Sequence, residues 1–152
     1  MDVRRGNSNS PHRPGPSKPF RSAWDSIGVT GERGIDAVKR GLPIQRLDQF
    51  LEDTQLPRTQ VLKVLQVTER ELRERTDRPR LTPLESERLW RLAKVYKKSL
   101  DLFEGNAEQA IAWLKAPQLA LQDVSPLRRI TTEPGACEVE ELISRIEYGV
   151  LS

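Results

Sequence analysis

Arg70 and Arg73 stand three residues apart in Thr68-Glu69-Arg70-Glu71-Leu72-Arg73-Glu74. At helical spacing both project from one side of a helix, where a guanidinium can bond a guanine edge through two donors at once. The ingredients of catalysis are sparse by comparison. One histidine, His12, and one cysteine, Cys137, cannot assemble a zinc or iron–sulfur ligand set, and a lone cysteine forms no internal disulfide. No nucleophile is arranged with a base, and no glycine-rich loop is present to cradle phosphate. The chain reads as a binding protein rather than an enzyme, with no cofactor and no metal site.

The arginines need a helix to present them, and the window from Leu56 to Arg75 supplies two short helices joined by a tight turn. Val61 and Leu65 share a face of the first, Val67 occupies the turn, and Leu72 points inward from the second. Thr68 is placed to cap the second helix, with Glu71 at the third position closing a capping box. This is the spacing of a helix-turn-helix. Its outer face would carry Thr68, Glu69, Arg70, Arg73 and Glu74 toward DNA. Gln66 occupies the turn position where such motifs usually have glycine, and Leu62 takes the place of a small residue. A pair of packed helices without DNA contacts has the same apolar spacing.

Other helices flank this unit. Ile35 and Val38 form a short apolar face that Gly41 and Pro43 end, and Ile44, Leu47, Phe50 and Leu51 form the next. Thr82-Pro83-Leu84-Glu85 is a second capping box with proline in the first turn, and it opens a long helix with a stripe of Leu89, Leu92, Ala93, Tyr96, Leu100 and Phe103. Arg88, Arg91, Lys94, Lys97 and Lys98 lie off that stripe, either extending a DNA-facing surface or solubilising the helix. Gly105-Asn106 separates it from a helix carrying Ala107, Ala110, Ile111 and Leu114, with Trp113 off the stripe and available to the last helix or to a partner. A short helical turn follows Ser125-Pro126, Glu133-Pro134-Gly135 reads as a turn, and Val139, Leu142, Ile143 and Ile146 define a terminal helix closed by Gly149. No alternating strand pattern appears, so the class is all-α.

The chain of 152 residues suits one compact domain or two very small ones, and its net charge of +3 is unevenly spread. Residues 1–22 carry +4, 56–80 and 81–100 carry +3 each, 23–55 carry −2 and 101–152 carry −5. The proline-rich segment 1–22 reads as a disordered basic arm. A basic middle suits phosphate, whereas an acidic end would be repelled by it and calls for a different partner. No stretch has the roughly 20 apolar residues that span a bilayer, and no apolar core follows Arg4 and Arg5 as in a secretory signal. A reducing cytoplasmic setting fits.

The order of residues also resembles the Xre antitoxin family paired with RES-domain toxins. The resemblance rests on Leu81-Thr82-Pro83-Leu84-Glu85-Ser86-Glu87-Arg88-Leu89, Leu102-Phe103-Glu104-Gly105, and Ala110 with Trp113-Leu114 and Pro117. It continues through Pro126-Leu127, Thr132-Glu133-Pro134-Gly135-Ala136, and Val139 and Leu142 to Arg145-Ile146-Glu147-Tyr148-Gly149. These are similar to the toxin-binding domain of Xre, MbcA and ParS type, and with the helix-turn-helix the likeness covers roughly residues 30 to 150. One departure is Ala120-Leu121-Gln122-Asp123-Val124, where the family usually has a glycine-rich stretch.

The resemblance implies a helix-turn-helix domain (23–80) followed by a small helical toxin-binding domain (81–152). It implies a homodimer that binds double-stranded promoter DNA of its own operon and docks its C-terminal region over the active site of a RES toxin that consumes NAD. By position, Arg145, Glu147, Tyr148, Gly149, Val150 and Leu151 would approach that cleft, where carboxylates such as Glu147 could meet arginines of an NAD-phosphate site. The alternative is a stand-alone helix-turn-helix regulator without a toxin.

Overall fold

The computed structural model describes residues 31–149. The basic arm expected over 1–22 lies outside them, as do Val150 and Leu151. Among the described residues the chain forms eight α-helices: α1 Gly31–Arg40, α2 Ile44–Thr54, α3 Arg58–Leu65, α4 Glu69–Glu74, α5 Pro83–Leu102, α6 Ala107–Lys115, α7 Pro126–Arg129 and α8 Glu133–Glu147. A 3-10 turn spans Leu119–Leu121. There is no strand among these residues, only isolated backbone bridges between Pro43 and Arg80 and between Gln118 and Val124, so the fold is all-α. None of these helices is long and apolar enough to cross a membrane.

Helix α5 is the axis of the molecule, in contact with α1, α3, α6 and α8. Neighbours on several sides explain why its buried surface is wider than one stripe. Val95 and Ser99 are buried beside Leu89, Leu92, Ala93, Tyr96 and Leu100. Each fully buried leucine contributes about 1.5–3 kcal/mol, so the centre of α5 is a substantial source of stability. Its start is set by the capping box: the Thr82 hydroxyl accepts from the Glu85 N–H at 3.1 Å, and the Glu85 carboxylate accepts from the Thr82 N–H at 2.9 Å. It ends at Leu102, one residue before Phe103, whose ring lies 6.4 Å from that of Trp113. The partner of Trp113 is thus Phe103 at the end of α5.

The cations flanking the α5 stripe have structural work. Arg88 donates to the Leu65 carbonyl at 3.1 Å, fastening the end of α3, and Lys94 and Lys98 pair with Glu140 at 3.4 and 3.0 Å, fastening α8. Three of the five residues expected to face DNA or water therefore tie α5 to its neighbours.

Helix α8 begins earlier than the sequence reading placed it. Glu133-Pro134-Gly135 is its first turn, capped by the Thr132 hydroxyl, which accepts from the Gly135 N–H at 3.1 Å. Proline is suited to the first turn of a helix because its missing N–H has no intrahelical partner there. The glycine answers a tertiary demand: a Cβ on residue 135 would stand 1.8 Å from the Arg129 carbonyl oxygen. Gly41 meets a comparable constraint, with φ at +90° and the site of a Cβ 2.3 Å from the Leu81 carbonyl oxygen. That approach permits the Leu81 N–H to donate to the Leu42 carbonyl at 2.8 Å and the Leu42 N–H to donate to the Ser86 hydroxyl at 2.8 Å.

Gly41→Ala combines left-handed strain with a backbone clash and is expected to destabilise the chain by about 2–4 kcal/mol. Urea unfolding checks it; a loss below about 0.5 kcal/mol, the scale of ordinary surface changes, would show that the contact between 41 and 81 yields freely.

Candidate nucleic-acid and partner interfaces

Helix α3, the turn 66–68 and α4 form the helix-turn-helix. Its turn depends on Gln66, which adopts φ +57° and lets its N–H reach the Lys63 carbonyl while the Val67 N–H reaches the Leu62 carbonyl. A left-handed glutamine carries a small strain that glycine would not. Its side chain has another task, donating to the Thr131 carbonyl at 3.2 Å and so tying the turn to the segment between α7 and α8. Leu62, at the position usual for a small residue, is buried.

All five residues expected to face DNA lie exposed on or beside α4. Thr68 makes the cap, its hydroxyl accepting from the Glu71 N–H at 3.1 Å while the Glu71 carboxylate accepts from the Thr68 N–H at 3.0 Å. Glu69 is held by Arg58, which also reaches Asp48 at 3.0 Å. Hydrogen bonding from Arg58 holds the Glu69 carboxyl below its ordinary range, with Arg73 adding a weaker Coulombic pull, and the same bond raises the Arg58 guanidinium. Arg70 pairs with Glu74 at 2.9 Å, one turn along the helix. An exposed pair of this kind stabilises by about 0.3–0.5 kcal/mol, so little opposes exchanging Glu74 for another partner. Arg70 and Arg73 are the cations this short helix presents to solvent.

What fixes α4 is the residue that follows it: Arg75, immediately after Glu74, bonds both oxygens of Glu85 at 2.7 and 2.8 Å and also donates to the Arg80 carbonyl at 3.1 Å. Glu85 is buried, so its charge needs these partners. Burial alone would raise its carboxyl, but the bonds from Arg75 and the Thr82 N–H prevail and hold it below its ordinary value. The arrangement locks the end of α4 to the start of α5, an anchoring that the sequence reading missed because the two residues are not one helical turn apart.

At the other end of the molecule, Arg145 is exposed and lies 3.8 Å from Glu141, Glu147 ends α8, and Gly149 has φ +66°. Tyr148 is 80% exposed although its N–H continues the helix by donating to the Ser144 carbonyl at 3.0 Å. Val150 and Leu151 are outside the described residues. Leu119, which the sequence reading did not single out, is 86% exposed in the 3-10 turn. The loop after it holds Gln122 and Asp123 at φ +58° and +61°, left-handed positions that glycine would occupy without strain. Helix α8 runs in the direction of α5, since Thr131 before it meets Gln66 near Arg88 while Glu140 meets Lys94 and Lys98. Tyr148 therefore lies toward the Leu102 end of α5 and α4 toward the Glu85 end, positions on the helix that stand about 25 Å apart along its axis at 1.5 Å per residue.

Comparison with known proteins fits this division. A family model described as the antitoxin Xre-like helix-turn-helix domain matches residues 33–94, and one described as the antitoxin Xre/MbcA/ParS C-terminal toxin-binding domain matches residues 99–149. The chain is 36% identical over 145 residues to "Antitoxin Xre" of Yersinia enterocolitica, covering 93% of this chain and 98% of that protein. It is 30% identical over 133 residues to "Antitoxin Xre" of Photorhabdus laumondii, covering 85% and 90%. A third "Antitoxin Xre", from Pseudomonas putida, is 35% identical over 81 residues, about half of each chain.

A folded-state carboxyl held below its ordinary value of 4.5 contributes stability that is complete above that value and lost as pH falls through the lower folded value. Glu85→Gln is expected to lower Tm at neutral pH and to make the acid side of the Tm–pH profile shallower, as circular dichroism would record. An acid limb as steep as that of the parent chain would mean that other carboxylates carry it.

Proposed function

The chain belongs to the Xre antitoxin family, and on that premise we propose that it neutralises a RES-domain toxin through its C-terminal region and represses its own operon through its helix-turn-helix. The observation that carries this reading is the position of two exposed surfaces toward opposite ends of one continuous helix: α4 with Arg70 and Arg73, and the end of α8 with Tyr148. Separate surfaces let one molecule hold DNA and toxin together.

On DNA, Arg70 leaves its weak pair with Glu74 and, with Arg73, reads base edges in the major groove, while Thr68 holds the helix N-terminus in place near phosphate. Glu69, fixed by Arg58, and Glu74 border the contact and select against misplaced phosphates. On the toxin, Tyr148 supplies apolar contact, with Arg145, Glu147 and Gly149 beside it in the chain and Val150 and Leu151 as further contacts. An NAD-consuming site is basic, so the acidic segment 101–152 is complementary to it. The chain acts in the cytoplasm, by binding rather than by catalysis.

Self-association has its own surface. Ile35, Val38, Leu84 and Trp90 line a groove of about 610 Å³ between α1 and α5, with Lys39 from one helix and Glu87 from the other. Ile35 and Leu84 are more than half exposed. A two-fold axis across this groove would set Lys39 of each copy against Glu87 of its mate, the self-complementary pattern that a symmetric dimer requires. Such a dimer suits a palindromic operator.

Three outcomes are expected. Arg70→Ala or Arg73→Ala weakens promoter binding by about 1–3 kcal/mol in a gel shift; unchanged affinity in both would put the reading surface elsewhere. Truncation after Glu147 abolishes rescue of a host expressing the neighbouring toxin yet preserves the gel shift, and equal loss of both activities would defeat the division of labour. Leu84→Glu converts a dimer to a monomer in light scattering, whereas a persistent dimer would place the interface on another face.

A further inference from the structure

A second cavity, of about 450 Å³, opens where α3, α6 and α7 meet, and Gln60, Lys63, Lys115, Ser125, Arg128 and Thr131 line it with Leu127. Three side chains there are cationic and none is acidic. Lys63, Lys115 and Arg128 form no ion pair with any described residue, as holds also for cations such as Arg73 and Arg91 elsewhere on the surface. Each of the three cations sits in the last turn of its helix, where a positive charge offsets the negative helix end. That accounts for a cation at each position but not for their convergence on one cavity, where a bound anion would add to the solvent screening of three exposed like charges.

The neutral groups can donate to a ligand as well as accept from it. The buried Ser125 hydroxyl oxygen accepts from the Arg128 N–H at 3.4 Å, and Gln60 adds an amide. Donors thus outnumber acceptors on the wall, the inverse of a cation site. The size lies in the range of small-molecule sites and exceeds what an inorganic phosphate fills. We propose that this cavity binds a phosphorylated small molecule of nucleotide size, with Lys63, Lys115 and Arg128 on its phosphates.

The location gives such a ligand a consequence. Gln60 and Lys63 belong to the first helix of the helix-turn-helix, while Lys115 and Arg128 belong to the region matched by the toxin-binding model. A phosphate shared among them would clamp α3 against α6 and α7, reinforcing the bond from Gln66 to the Thr131 carbonyl beside the same cavity. The inference stands apart from the identity of toxin and operator, because binding is measured on the full chain alone.

The test is titration of the purified full chain with ADP and with pyrophosphate, followed by Tm and by amide NMR shifts, with adenosine and sulfate at matched ionic strength as controls. The expected result is saturable binding of ADP or pyrophosphate, a rise in Tm, and shifts centred on Lys63, Arg128 and Thr131. Lys63→Gln with Arg128→Gln should weaken it by about tenfold or more, the scale of one charge-assisted hydrogen bond, while Arg78→Gln, outside the cavity, leaves it intact. Should the double variant unfold, Lys115→Gln at the exposed end of α6 carries the same comparison. No saturation, an equal effect of sulfate, or equal binding by the cavity variants would overturn the proposal. So would variants that alter only the salt dependence of DNA binding, which would assign the cations to the DNA backbone.

Discussion

The carboxylate of Glu85 is buried, and a buried carboxylate must be paired or it unfolds its surroundings. Its bonds to the Thr82 N–H and to both terminal nitrogens of Arg75 meet that demand and, in doing so, start the central helix and set the end of the helix that bears Arg70 and Arg73. The neighbouring backbone depends on the same corner. Gly41 passes close to the Leu81 carbonyl, Ser86 receives the Leu42 N–H, and Arg80 donates to the Gly41 carbonyl at 3.0 Å. Local helix chemistry and the orientation of a recognition surface are thereby one electrostatic arrangement.

The central helix also joins what the family comparison divides. The region matched by the helix-turn-helix model ends at 94 and the region matched by the toxin-binding model begins at 99, both inside Pro83–Leu102. Lateral ties strengthen the union: Arg88 to the Leu65 carbonyl, Gln66 to the Thr131 carbonyl, and Lys94 and Lys98 to Glu140. The buried residues form one continuous core from Leu42 to Ile143.

Much of this was legible in the sequence wherever the cause is local. Both capping boxes, at Thr68 with Glu71 and at Thr82 with Glu85, act over three residues and were readable from spacing alone, as were the all-α class and the apolar stripes. Tertiary causes were not. Gly135 looked like part of a turn because its reason for being glycine, the Arg129 carbonyl, belongs to another helix. Val95 lay outside the stripe because no spacing rule announces how many neighbours enclose a helix. The sequence placed Glu69 beside Arg70, but its partner Arg58 lies across the turn on α3. Leu119 escaped notice because nothing local distinguishes an exposed leucine from a buried one.

The continuity of Pro83–Leu102 has a mechanical meaning. A joint between two functions lets one be switched by swinging the other, but an unbroken helix braced on its flanks has no joint to swing. Anything bound near Leu102 would be held at a fixed bearing relative to whatever α4 touches. Were two copies to pair about a two-fold axis, the spacing of the surfaces they present would be set by the length of a rod and the angle between two rods. How many partners could sit on such a pair would then be a question of volume, settled before any of them arrives.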